Sequence, residues 1–367
     1  MVLGRRLRSP VGAAVGISVA ALAIVGVVAL TGGDGTPAPA VPAVDRPKAA
    51  EPAPPPVVDD TLAPGRTALV TVAVATVWST PGAARPVDEP SLTNPVDLRR
   101  WIGAMSHDDK LWLVDHLVTQ ALYGEQVVVR EIAGPWARVV LTGQLSSLDR
   151  DGYPGWMPVV QLRAGEAPVA AASAVVTRPT ATLRDAADPS RPLVDLSYNT
   201  RLPMLAAGAT DVTVALPTGG RGLLAAADVH VAAPGPRPAS GADLVAGARM
   251  FSGLPYLWAG TSSAGFDCSG FTAAVYGVHG IVLPRDADDQ AGIGTPVDRA
   301  RLQPGDLLFY GSTAERTSIT HVSMYVGNGM MIQAPATGRT VETVPVDSPA
   351  YAPRFWGARR YLPAGSS

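Results

Sequence analysis

The chain has 367 residues, 47% of them hydrophobic, a formal net charge of −2 and a single cysteine, Cys268. That length leaves room for two or three packed domains. The near-neutral charge argues against a nucleic-acid surface, and a lone cysteine excludes an intramolecular disulfide.

At the amino end, Arg5, Arg6 and Arg8 precede an uncharged apolar run from Pro10 to Thr31. Basic residues followed by about 20 apolar ones fit a signal peptide or a single membrane anchor. No cysteine follows the run, which excludes a lipid-modified anchor, and no close Ala-x-Ala site separates the other two readings. Both put the rest of the chain outside the cytoplasm, with the membrane as a partner if the segment is retained. Residues 32–65 are rich in Pro and Ala and predict an extended tether.

Ala68 to Val74 reads as a strand, and Gln126 to Glu131 and Trp136 to Leu141 as two more, joined at Gly134. Asp108 to Gln120, with Leu111, Val114, Leu117 and Val118 apolar, predicts an amphipathic helix. A second run of short β segments spans Ala170 to Val231. Short strands with frequent turns predict two small all-β barrels, over 66–165 and 166–232.

Trp112-Leu113-Val114-Asp115, Gln120-Ala121-Leu122-Tyr123-Gly124-Glu125 and Gly152-Tyr153-Pro154-Gly155-Trp156 carry a resemblance. They are similar to the first bacterial SH3-type domain of exported cell-wall peptidases that have two such domains before the catalytic one. The resemblance implies that this barrel closes one end of the catalytic cleft. It also implies a tyrosine lining the subsite for a peptide's free amino end. Tyr153 is the first candidate for that role and Tyr123 the second, with barrel packing as the plain alternative for both.

Residues 233–241 form a Pro- and Gly-rich linker, and from 242 to 363 the chain changes class. Asp243 to Phe251 predicts a helix. Cys268 follows at the point where a Gly/Ser-rich loop gives way to a helix predicted over Ser269 to Val278. A helix N-terminus favours the thiolate, the reactive form, and a nearby histidine lowers the thiol pKa further. A buried, inert cysteine is the competing reading. Downstream, Leu307 to Tyr310, His321 to Val326 and Met330 to Ala334 read as strands of an antiparallel sheet, which makes the domain α+β.

The last turn sets which side chains share a face. If Gly327, Asn328 and Gly329 form a three-residue loop, Ser323 faces Gln333, and His321 and Gln333 lie on one face. A two-residue turn would send Gln333 to the other. Cysteine, histidine and a polar third residue are the parts of a cysteine peptidase. The histidine takes the thiol proton and returns it to the leaving amine, and an amide oxygen can orient its ring. His279 is expected to be exposed at a helix end. No histidine–carboxylate cluster has metal-ligand spacing, so neither metal nor cofactor is expected.

Tyr256-Leu257-Trp258-Ala259-Gly260, Asp267-Cys268-Ser269-Gly270-Phe271, Leu283-Pro284-Arg285-Asp286 with Gln290, Pro304-Gly305-Asp306 and His321-Val322-Ser323-Met324-Tyr325-Val326-Gly327 resemble the NlpC-type cysteine peptidases of the bacterial cell envelope. The resemblance implies a papain-like α+β fold, with Cys268 as nucleophile, His321 as base and Gln333 as third residue, a place more often held by histidine. Ala259 replaces a common glycine. Tyr256 matches a tyrosine near the oxyanion and could donate there beside the Cys268 N–H; packing is the alternative. In relatives with two SH3-type domains, the residues matching Asp267 and Ser269 help bind the free amino end of L-Ala-γ-D-Glu-diamino acid peptides. Asp267 is equally suited to cap the helix. Arg285 either holds a substrate carboxylate or braces its loop. The function implied is an exported endopeptidase hydrolysing the γ-D-glutamyl–diamino acid bond of peptidoglycan stem peptides through a thioester. The rival is a cell-wall binding scaffold whose catalytic set has lapsed at Gln333.

Overall fold

The computed structural model describes residues 61–235, 239–312 and 318–362. The expected export segment, 1–31, and residues 32–60 of the expected tether lie outside the described residues.

The first barrel is a seven-stranded antiparallel sheet. Its spatial order is Leu117–Leu122, Val74–Trp78, Tyr153–Pro158, Trp136–Leu141, Gln126–Ala133, Thr67–Val70, Leu162–Ala164. Alternate residues turn inward, so Val127, Val129, Val139 and Leu141 meet Ala68, Val70 and Val77 in one core. Two expectations are corrected here. The single strand over Ala68 to Val74 is two, Thr67–Val70 and Val74–Trp78, because a bend at Val72 and Ala73 turns the barrel corner. The helix over Asp108 to Gln120 is only His107–Trp112, opened by a capping box between Ser106 and Asp109. Asp115, at φ +65°, breaks it. Leu117–Leu122 then pairs with Val74–Trp78 as a strand, Val74 opposite Leu122, and sheet hydrogen bonds override the helical pattern.

The second barrel repeats the architecture between Ser173–Val176 and Val229–Ala232, around Val176, Leu183, Leu196, Leu202, Val212 and Leu224.

The third domain is α+β, as the sequence predicts. Helix Gly241–Arg249 starts at a capping box of Ser240 and Asp243. Helix Cys268–Gly277 packs Phe271, Ala274 and Val275 against Leu307, Phe309, Val322, Met324 and Ile332 of a six-stranded sheet. The sheet order is Thr295–Val297, Phe355–Arg360, Leu307–Gly311, Ile319–Gly327, Met330–Gln333, Glu342–Pro345.

The hairpin joining Ile319–Gly327 to Met330–Gln333 reaches the expected pairing by another route. Gly327 pairs with Met330, so the loop is the two residues Asn328 and Gly329, both at positive φ. One extra residue then enters the first strand between Tyr325 and Gly327, and the pairing resumes as Tyr325–Met331 and Met324–Ile332. This bulge, taken up at Gly327 with φ +92°, restores the register that a plain two-residue turn would have lost.

Both barrels dock on the third domain. The Trp258 indole N–H donates to the Leu117 carbonyl at 2.9 Å. The buried Gln120 amide oxygen accepts from the Thr261 N–H at 3.0 Å and the Ser262 hydroxyl at 2.9 Å. From the second barrel, Tyr198 meets Phe251 edge to face with centroids 5.1 Å apart, and Ser197 Oγ accepts from the Ser263 N–H at 2.9 Å.

Candidate active site

Cys268 is the first residue of its helix, so no preceding turn accepts its backbone N–H. Asp267 is the N-cap, its Oδ1 accepting from the Gly270 N–H at 2.7 Å. Asp267, Ser269 and Gly270 are buried, whereas Cys268 stays partly exposed. Gly270 must be glycine, because a Cβ there would lie 2.1 Å from the Gly260 carbonyl oxygen. Gln290 ties the next loop to this turn. Its amide N–H groups donate to the Ser269 and Pro284 carbonyls at 3.1 and 2.8 Å, and its oxygen accepts from the Thr272 hydroxyl at 2.9 Å.

His321 comes from the strand packed on this helix, and the backbone N–H of the next residue, Val322, faces the Cys268 sulfur. Its Nε2 lies 2.7 Å from Gln333 Oε1. Gln333, fully buried, gives its N–H groups to Glu342 Oε1 at 3.0 Å and to the Tyr351 hydroxyl at 2.7 Å. The imidazole is flanked by the rings of Tyr351 and Tyr310, with centroids 5.7 and 5.8 Å away. Cys268, His321 and Gln333 are therefore brought together. Glu342, Tyr310 and Tyr351 have no signal in the sequence, since only the sheet and the loop after it bring them to the histidine.

Tyr256 is buried beside Cys268, positioned by a backbone bridge to Phe266 and an N–H donated to the Arg339 carbonyl at 2.9 Å. Burial, with the neighbouring Cys268 and Asp267, pushes its phenol well up, so it remains a hydroxyl donor at neutral pH.

Arg285 is corrected from a possible substrate ligand to a brace. It is buried at 3% exposure, and its guanidinium is turned inward. It donates to both Asp267 oxygens at 3.2 and 2.7 Å, to Ser269 Oγ at 3.0 Å and to Thr119 Oγ1 of the first barrel at 2.9 Å. Its backbone N–H donates to the Leu145 carbonyl, again of the first barrel, at 2.9 Å. Tyr153 does reach this cluster. Its hydroxyl donates to Asp286 Oδ2 at 3.2 Å, and burial followed by the Asp286 charge keeps it protonated. Asp286 itself is raised by burial, partly offset by Arg285. Tyr123 is a second correction. It packs into the core of the second barrel and lines a cavity of about 490 Å3 behind the Cys268 helix. Its place is set by the joint between the barrels. His279, expected to be exposed, is buried at 6%.

The electrostatics of the folded site run against the expected thiolate. Burial pushes the Cys268 thiol up to about 12, and the Asp267 charge adds to it. Burial pushes His321 down to about 4, against the Gln333 hydrogen bond. The helix terminus offers about 0.3–1 kcal/mol. Raising the thiol from 9.0 to about 12 corresponds to about 4 kcal/mol, so desolvation wins. Both shifts favour the neutral thiol and the neutral imidazole over the ion pair. The neutral pair can attack a carbonyl with the thiol proton passing to the ring in the same step.

A nucleophile-bearing helix on an antiparallel sheet that supplies the base is the arrangement of papain-like cysteine hydrolases. Residues 253–360 match the NlpC/P60 family, 176–231 a YKFC SH3b2 domain and 115–162 a bacterial dipeptidyl-peptidase Sh3 domain. The gamma-D-glutamyl-L-lysine dipeptidyl-peptidase of Bacillus cereus is 43% identical over 304 residues, covering 81% of this chain and 91% of the relative. Its namesake from Bacillus subtilis is 34% identical over 290 residues, covering 78% and 96%. The crystal structure of an NlpC/P60 family protein from Bacillus cereus superposes with a TM-score of 0.76 at 42% identity, covering 81% of this chain and all of that one. The chain belongs to the NlpC/P60 family, as a cysteine peptidase preceded by two SH3-type barrels.

Proposed function

We propose that the protein hydrolyses the γ-D-glutamyl–diamino acid bond of peptidoglycan stem peptides that have a free amino-terminal L-Ala, releasing the dipeptide L-Ala-γ-D-Glu. Cys268 is the nucleophile and forms a thioester. His321 takes its proton and passes it to the leaving amine, and Gln333 orients the ring. Tyr256 and the Cys268 N–H donate to the oxyanion. The activity for which the two Bacillus relatives are named supports this bond and this peptide class.

The observation that carries the reading is the charge balance beside the nucleophile. Among the described residues, Asp267 and Asp286 share one guanidinium, Arg285, so two carboxylates face a single cation. Asp286 is 35% exposed and accepts from Tyr153. A terminal ammonium supplies the missing charge, in charge-assisted hydrogen bonds to the carboxylates. Asp267, Ser269 and Tyr153 thus belong to the amino-end subsite, with Arg285 holding the first two in place.

The test incubates the protein with L-Ala-γ-D-Glu-L-Lys, its diaminopimelate counterpart and N-acetylated copies of each, with products read by mass spectrometry. Cleavage of free peptides only, abolished in Cys268→Ala, is expected. Equal cleavage of acetylated peptides would remove the amino-end subsite, and no cleavage of either would favour a binding scaffold. We further propose that residues 1–31 export the protein, leaving it secreted or anchored facing the wall. Cell fractionation with and without that segment tests this.

A further inference from the structure

The third residue is an amide, which can face the histidine either way round. With its oxygen inward, the near ring nitrogen must carry a proton. With its NH2 inward, that nitrogen must be bare. Only the first arrangement leaves the far nitrogen, Nδ1, free to take a proton from the thiol. Gln333 has no preference of its own, so something must select between the two.

Glu342 lies directly opposite Gln333 across the sheet, and its Oε1 accepts from Gln333 Nε2 at 3.0 Å. The other N–H goes to the Tyr351 hydroxyl, which could equally accept from the NH2 or donate to the oxygen. Tyr351 is therefore indifferent to the orientation. A carboxylate is not, since it can only accept. Glu342 is itself held by Arg339, whose NH2 donates to Oε1 at 2.5 Å and Oε2 at 2.6 Å. The pair holds the carboxylate turned toward the amide.

We propose that Glu342 is a positioning residue: it locks the Gln333 amide with its oxygen toward His321 and so fixes the histidine as the Nε2–H tautomer. The proton path follows. As the Cys268 sulfur attacks the carbonyl carbon, its proton passes to His321 Nδ1. As the carbon–nitrogen bond breaks, that proton leaves with the amine. The Nε2 proton stays on the ring throughout, donated to Gln333. This rests on the peptidase reading above, but the tautomer itself does not depend on turnover.

The test uses the full chain with 15N-labelled histidine, and reads the His321 ring nitrogens by NMR together with kcat and KM on the free peptide. The wild type should show Nε2–H alone. Glu342→Ala leaves the choice to Tyr351, so Nδ1–H should appear and kcat should fall about tenfold with KM unchanged, the loss of a hydrogen bond to a charged group. Glu342→Gln keeps the size of the side chain but can donate as well as accept, so it should not restore the lock: Nδ1–H should appear there too and kcat should stay below wild type. An Nδ1–H signal in the wild type would overturn the proposal whether or not any peptide is cut. A Glu342→Ala protein that loses kcat while keeping pure Nε2–H would also overturn it, leaving Glu342 as a partner of Arg339 alone.

Discussion

Replacing Arg285 with methionine separates a brace from a substrate ligand. The side chains of Arg285 and Asp267 are 3% and 10% exposed, and the change would leave the Asp267 carboxylate buried without its counter-ion. Breaking such a pair from one side costs about 3–5 kcal/mol. With an unfolding entropy of about 2.1 cal/mol/K per residue over about 300 residues, that lowers Tm by about 5–8 °C. Asp267→Asn keeps an oxygen for the Gly270 N–H and removes the charge. In the double variant the stranded carboxylate is gone, and a coupling of about 2–3 kcal/mol should be recovered. Urea and thermal melts of wild type, both single variants and the double variant measure this cycle. A methionine variant that melts within about 1 °C of wild type, with only KM raised, would refute the brace and return Arg285 to the substrate.

A neutral resting pair predicts that alkylation of Cys268 by iodoacetamide accelerates about tenfold per pH unit from 6 to 9 without a plateau. A pH-independent fast rate between 5 and 8 would mean a preformed thiolate–imidazolium pair. His321 also links stability to acid. Its folded value near 4 lies below the unfolded 6.5, so the unfolded chain binds more protons between them, and stability falls by about 3 kcal/mol as pH drops through that window. Urea melts at pH 7.5 and 4.5 should show this loss, and His321→Gln should flatten it. Ala259 sits at φ +60° in the core that joins the first barrel to the third domain. Ala259→Gly should relieve about 1–2 kcal/mol of strain, against about 0.8 for the lost methyl and about 0.5–1 for chain entropy. Its Tm should therefore stay close to wild type; a large drop would show that the methyl is essential to the joint.

What was legible in the sequence was what the chain builds from neighbours. Asp267, Cys268 and Ser269 sit within one turn, and a helix start announces itself by its cap. His321 and Gln333 are joined by a hairpin short enough to count across, and the count gave the right face even though a bulge rather than a longer loop delivers it. Residues placed by distant segments were not legible. Arg285 faces inward because Thr119 and Leu145, far away in the chain, accept from it. Tyr123 looks like a ligand tyrosine in its local motif, yet the second barrel claims it as core. The strand Leu117–Leu122 has apolar spacing that also suits a helix, and only pairing with Val74–Trp78 decides the matter.

That strand explains why the barrel cannot be regarded as an appendage. The Cys268 helix needs an acceptor at its N-terminus, and Asp267 supplies it at the cost of a buried charge. Arg285 neutralises the charge, but a buried guanidinium needs its own acceptors, and one of them is Thr119 on the barrel strand. The next residue, Gln120, accepts from Thr261 and Ser262, a few residues before the nucleophile. Tyr153 and the Ser147 N–H complete the contact, through Asp286 at 3.2 Å and Asp289 at 2.8 Å. Asp267, Arg285, Thr119 and Gln120 are each buried against the next partner in this series, so separating barrel from catalytic domain would expose or strand them together. The first barrel would therefore shape the proposed amino-end subsite in two ways: it lends Tyr153 directly, and it holds Arg285 where it fixes Asp267 and Ser269 on either side of Cys268.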